Sequence, residues 1–285
     1  MSSSSLPHNN KPHKPSHPHS SAPVYANFAS ENLTIGAGVA TFHLASERVV
    51  LCWHSRDGYW FLPKGRRNAS EEAGCAAVRE GFEESGYRNR LLPLPIPHRQ
   101  PYPDELSPEA AIHSFDTEPL WTQLVPQSRS AQYILHWYVA ETLCKDDEDA
   151  LNLSSDLASS SLQTSGVDEK SASSDSGSRR RYIPPPRFPR NMTLRQRIAL
   201  DSISSSVDGS ESVYEPRKYE GTGVDEEELL YQSALVPVAE ACRRLGGGVM
   251  SDVVRRGWEA VRLRMRIEDE REEGRKGTAV GGLET

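Results

Sequence analysis

Residues 79–84 read Arg-Glu-Gly-Phe-Glu-Glu, so that Glu80, Glu83 and Glu84 place three carboxylates within five residues. Like charges this close repel one another unless a cation lies between them. On a helix they stand at i, i+3 and i+4 and share one face. Such a face offers the hard oxygen donors that Mg2+ or Mn2+ prefers, and the ion takes its other ligands from water and substrate phosphates. Taken alone, a short acidic run is more often a solvated helix face, and its neighbours must decide.

Those neighbours carry start and stop signals for a helix. Asn68 and Glu71 have the spacing of a capping box, with Ser70 a rival cap, and Gly86 stands where a left-handed C-terminal residue is wanted. At 100° per residue Cys75, Val78 and Phe82 are predicted to face the core, with the glutamates opposite. Gly74, Ala77 and Gly81 form a small-residue stripe beside the acids. Glycine inside a helix costs up to about 1 kcal/mol against alanine, which predicts close backbone packing there.

Upstream, "TIGAGVATFHL" and "RVVLCWH" are β-branched apolar runs that read as strands. Asp57-Gly58 signals a hairpin between Arg48–His54 and Tyr59–Leu62, followed by a loop at Pro63-Lys64-Gly65. Residues 91–130 are interrupted by proline, and 131–143 is the next strand. "EEELLYQSALV" reads as a last strand. Pro237 suits a first helical turn, and Val254, Trp258, Val261 and Met265 mark an amphipathic closing helix.

The 285 residues are 36% hydrophobic with a mean hydropathy of -0.62, low for a chain packed throughout. The reading is one domain at 31–144 and 223–270, with a disordered tail at 1–30, a disordered insertion at 145–222 and a second tail at 271–285. His8, His13, His17 and His19 in the first tail read as solvated rather than metal-binding. A net charge of -7 gives the whole chain no general attraction to nucleic acid or anionic membranes. No apolar run approaches the ~20 residues of a membrane span. The N-terminus lacks a signal peptide's apolar stretch. Cys52, Cys75, Cys144 and Cys242 lie far apart and read as reduced, buried thiols. The expected location is cytoplasmic, with the nucleus also open. Residues 179–197 carry a basic, proline-containing run that could act as a protein-docking or localisation segment.

Residues 65–87 match the pattern G-x5-E-x7-R-E-U-x-E-E-x-G-U at Gly65, Glu71, Arg79, Glu80, Glu83, Glu84 and Gly86. This is the Nudix box, and the chain resembles the Nudix hydrolases. Gly81 and Tyr87 depart from the usual aliphatic positions, which touches packing rather than the charged set. The resemblance implies an α/β/α sandwich around a mixed sheet. It also implies metal-dependent hydrolysis of a diphosphate joined to a moiety X, with Mg2+ or Mn2+ as cofactor.

By position, Glu83 and Glu84 then look like metal ligands, Glu80 a further ligand or the base that activates water, and Arg79 an orienting partner for Glu83. Gly65, Glu71 and Gly86 are structural. "YWFLPKG" and "REGFEESG" look like the branch acting on diadenosine and diphosphoinositol polyphosphates, in which Lys64, Arg66 and Arg67 could meet the extra phosphates. The alternatives are a decapping-type RNA pyrophosphohydrolase, the one case with nucleic acid as substrate, and a silent ligand-binding or scaffold module.

Overall fold

The computed structural model describes residues 19–102, 115–164, 182–204 and 211–280. The long apolar runs become β1 (Leu33–His43), β2 (Arg48–His54) and β7 (Gln132–Thr142). Short strands β3 (Tyr59–Phe61), β4 (Lys64–Arg66), β5 (Asn89–Leu91) and β6 (Trp121–Pro126) are added on their flanks, and β10 (Tyr231–Pro237) lies beside β2. The main order is β10-β2-β1-β7-β5. β1 and β7 run parallel from Leu33–Gln132 to Phe42–Glu141, while their other neighbours pair antiparallel.

Side chains alternate across β1, and each face meets its own helix layer. Ala37 and Val39 pack with Ala76 and Ala77 of α1 (Ala73–Ser85). Ala40 and Phe42 join the larger core with Val253, Val254 and Val261 of α5 (Val249–Val280), which follows α4 (Val238–Arg244). The molecule is therefore the mixed α/β/α sandwich expected. Trp258 and Met265 pack against that core as their spacing predicts.

Three expectations need correction. Lys64-Gly65 is not a loop: it forms β4, paired with Gly36–Gly38 of β1, because the chain leaving the β2–β3 hairpin runs back along an open strand edge. The second tail is helical as far as Val280, since α5 continues well past 270.

The insertion is folded at both ends. α2 (Lys145–Thr164) opens with Asp146, Asp147 and Glu148, which suit the helix dipole. Residues 165–181 lie outside the described residues, and with them Arg179, Arg180 and Arg181 of the basic run. From 182 onward the chain packs on the sandwich, with Phe188, Leu194 and Tyr219 buried. α3 (Leu194–Ala199) has a capping box between Thr193 and Gln196. It is followed by the hairpin β8–β9 (Ser202–Ser204 with Glu211–Val213).

Leu194 and Ile198 seat α3 on the apolar core, and buried charge, which composition hides, fixes it there. Arg197 and Glu141 are fully buried, 2.9 Å apart, and Arg197 reaches Asp201 at 2.8 Å. Those two contacts are charge pairs outside hydrogen-bond angles, whereas Arg197 Nη2 donates to the Thr142 carbonyl at 2.8 Å and Arg90 Nε to Glu141 at 2.7 Å. On α5, Arg264 donates to the Met192 carbonyl, and Glu268 accepts from the Leu194 N–H at 2.7 Å.

Removing one member of a buried charge cluster strands its partners and costs about 3–5 kcal/mol. Arg197→Ala should therefore lower the urea midpoint sharply. Arg195→Ala should not, because its pair with Asp269 is exposed. Similar midpoints for the two variants would show that the insertion is not anchored through Arg197.

Candidate metal and catalytic site

α1 begins at Ala73, later than the sequence signals suggest, with Glu72 at the cap position and no side-chain hydrogen bond. Asn68 is not the cap. Its N–H donates to Glu71 Oε2 at 2.8 Å within the preceding turn, which leaves the Glu71 carboxylate facing Arg79. At the other end Gly86 takes φ 75, as expected of a left-handed terminus, and its N–H donates to the Phe82 carbonyl at 2.8 Å. A Cβ on Gly86 would also lie 2.1 Å from the Tyr219 carbonyl.

The glutamate face is not the solvated side of α1. Glu80 is 6% exposed and Glu84 8%, while Cys75, assigned to the core by periodicity, is exposed. The helix lies on the sheet through Ala77 and Gly81; a Cβ at Gly81 would approach Val39 Cγ1 to 2.8 Å, the close packing predicted for this stripe. The acids are thereby turned toward β4 and the segment before β10.

Arg79 organises them. Its Nε and Nη2 donate to the two oxygens of Glu71, each at 3.0 Å. Nη1 donates to Glu80 at 2.8 Å and to Glu83 at 2.6 Å, and Nη2 also reaches the Arg66 carbonyl at 3.0 Å. Arg79 thus orients carboxylates, and Glu71 in turn fixes Arg79.

Glu84 is held by the backbone. Its Oε2 accepts from the Lys64 N–H at 2.8 Å, a bond that exists because β4 is a strand. Gly65 is required for close approach: a Cβ there would lie 2.1 Å from Glu80 Oε2. The Tyr133 hydroxyl donates to the Gly65 carbonyl at 3.0 Å, and burial beside Glu80 and Glu84 pushes that phenol up to about 12.

Among the described residues, the carboxylates that converge are Glu80, Glu84 and Glu228, with one oxygen of each within 4.8 Å of the others. Glu83 is not in that trio; it is engaged by Arg79 and borders the group, near enough for its charge to act on Glu228. Glu228 was not singled out by sequence because Asp225–Glu228 is an unbroken acidic run in which no residue stands apart. Folding selects it. Asp225 Oδ1 accepts from the Glu227 and Glu228 N–H groups at 3.0 and 2.9 Å, forming the turn before β10, and the pairing of β10 with β2 carries that turn to the box.

Burial drives the carboxyl pKa values up against the help of Arg79 and Lys64. Glu80 is raised to about 7, and Glu83, Glu84 and Glu228 are raised as well, each with burial as the largest cause. Two buried carboxylates and one half-buried one, converging without a cation of equal charge between them, form a donor set suited to a divalent ion. The sequence-assigned basic residues sit alongside. Lys64 is half-buried next to Glu84, Arg66 is exposed, and Arg67 is occupied by the Glu71 carbonyl at 2.8 Å.

The family model for the NUDIX domain matches residues 33–153. The match takes in the box at 65–87 and the strands on either side of it. All the carboxylates of its box are present, and the protein is an enzyme of the pyrophosphohydrolase class. Solved structures with a similar fold include a NUDIX-family hydrolase from Clostridium perfringens, at 20% identity and TM-score 0.27 over 40% of this chain and 70% of that one. An Ap4A hydrolase from C. elegans aligns at 12% identity and TM-score 0.33 over 80% of this chain and 96% of that one. An ADP-ribose pyrophosphatase from Streptococcus suis aligns at 15% identity and TM-score 0.23 over 39% and 60%. The substrate has to be argued from the NUDIX site itself.

Two outcomes follow from this NUDIX geometry. Gly65→Ala should displace Glu80, a movable side chain, rather than unfold the domain. Mg2+ affinity should fall at least about tenfold with little change in the metal-free melting temperature, and unchanged affinity would place Glu80 outside the metal site.

The second concerns pH. Glu80 is at about 7 in the fold against an ordinary 4.5, so the folded state binds more protons than the unfolded one between those values. Its contribution to metal-free stability is greatest near the lower pH and declines as pH rises toward 7. Mg2+ should therefore raise the melting temperature more at pH 8 than at pH 5, and an equal rise at both would argue against carboxylate ligands.

Proposed function

We propose that the protein is a metal-dependent hydrolase of a diphosphate linkage within a nucleoside or inositol polyphosphate. The convergence of Glu80, Glu84 and Glu228 on the box carries this reading. These three residues would hold Mg2+ or Mn2+, with Glu83 kept beside them by Arg79. Bound there, the ion supplies neutralisation of charge on the phosphate oxygens and a more acidic water.

The rest is work for the chain's own groups. Glu80, steadied by Arg79 and seated against Gly65, serves either as the third ligand or, if it stays off the ion, as the base for the attacking water. Arg79 keeps Glu80 and Glu83 in place while touching neither water nor phosphate. Lys64 and Arg66, on β4 beside the acids, offer positive charge to the phosphates that flank the scissile linkage. Several linked phosphates would use both, which favours diadenosine or diphosphoinositol polyphosphates over ADP-ribose.

Product analysis with Mg2+ across diadenosine polyphosphates, diphosphoinositol phosphates, capped RNA and ADP-ribose tests the class. Glu84→Gln and Glu228→Gln should each lower kcat at least about a hundredfold, equivalent to about 3 kcal/mol of transition-state stabilisation. Glu226→Gln, on an exposed acid of the same run, should change little. Full activity in Glu84→Gln would refute the assignment. Full activity in Glu228→Gln would return the third position to Glu83.

A further inference from the structure

Two rows of side chains cross β3, β2 and β10. The register sets Phe61, Cys52 and Ser233 level with one another, and Tyr59, His54 and Tyr231 level in the next row. Residues two apart on a strand share a face. The first row touches α1, since Cys52 Sγ donates to the Glu84 carbonyl at 3.6 Å and the Ser233 hydroxyl to that of Ser85. The second row continues the same face beyond α1, next to the converging carboxylates.

That second row is aromatic and preformed. His54 is fully buried, and Tyr59 lies on it nearly parallel, with centroids 5.2 Å apart and planes at 18°. Tyr231 tilts against His54 at 5.4 Å and meets the Phe61 ring edge-on at 4.8 Å. His54 Nδ1 accepts from the Asp57 N–H at 3.1 Å, which leaves Nε2 as the protonated nitrogen, 3.6 Å from both Asp57 and Glu227. The imidazole is thus fixed in orientation as a floor. Tyr59 has one ring face against this floor and yet is 47% exposed. The charge of Glu84 acts on both tyrosines, and Lys64 Nζ stands 6.0 Å from the Phe61 ring, so the shelf adjoins the site of hydrolysis.

We propose that this shelf is the subsite for the aromatic base of the substrate, so that X is a nucleoside rather than an inositol phosphate. The inference rests on the diphosphate-hydrolase reading above and narrows it. An open aromatic face supported from beneath stacks any base, and stacking of this kind changes affinity about five- to a hundredfold. The rim argues in the same direction. Asp57, already paired with Arg56 at 2.9 Å, and Glu227 and Asp225 present acceptor oxygens that suit an exocyclic amino group. The same acids repel the dense charge of a phosphorylated inositol.

Calorimetric titration of the Mg2+-loaded protein with AMP and with ribose 5-phosphate tests the shelf without requiring turnover. AMP should bind at least tenfold more tightly. Tyr59→Ala should remove that advantage and Tyr59→Phe should keep it, with circular dichroism reporting an intact fold in both. Equal affinity for the two ligands, or a preference for AMP that survives Tyr59→Ala, would overturn the proposal. Absence of Mg2+-dependent hydrolysis of every diphosphate would instead overturn the hydrolase reading, and the base preference would still be read from the same titration.

Discussion

Burying several carboxylates next to one another is the constraint on which the rest of this structure depends. Each would gain free energy by returning to water, and each has its pKa raised by the burial that the fold imposes. Arg79 makes the arrangement tolerable with one guanidinium shared among Glu71, Glu80 and Glu83. It offsets part of the repulsion and leaves the inner acids short of positive charge. That shortage is what a divalent ion would relieve, so on the proposed reading the residues that destabilise the metal-free fold would be the ones that hold it.

Holding such a cluster requires rigid supports on every side, and the supports come from backbone. β4 donates the Lys64 N–H to Glu84 and, having no side chain at Gly65, leaves room for Glu80. The Tyr219 N–H donates to the Gly86 carbonyl at 2.9 Å, and Thr222 Oγ1 donates to the Glu83 carbonyl at 2.9 Å. The end of α1 is therefore tied to a segment more than a hundred residues away in sequence. Small residues on the sheet side of α1 let the helix approach closely enough for these ties to form.

The fold class, the long strands, the closing helix and the box were legible because each repeats a local rule. Period-two apolar runs, a glycine at a helix terminus and a fixed spacing of acids can all be read without knowing neighbours. What escaped was set by neighbours alone. Glu228 is one of several equivalent acids until β10 pairs with β2. Asn68 and Glu71 have capping-box spacing, but the competing bid of Arg79 for the Glu71 carboxylate moves the helix start to Ala73. The arginine-rich end of the insertion reads as solvated, since composition cannot show that Arg197 has Glu141 waiting for it inside the protein. Cys75 was misassigned although Val78 and Phe82 of the same row are buried, because periodicity does not show how far along a helix its cover extends.

Glu228 also places the site under a topological condition. The box and its Arg79 brace lie in the first third of the chain, while the third carboxylate arrives only with the turn that precedes the last strand. During synthesis, the ribosome releases the box long before it releases Glu228. A nascent chain, or one cleaved between α2 and α3 with loss of the distal piece, carries the whole recognisable motif and lacks the third of the converging carboxylates. On the proposed reading, competence for chemistry would be deferred until the distant ends of the domain have met.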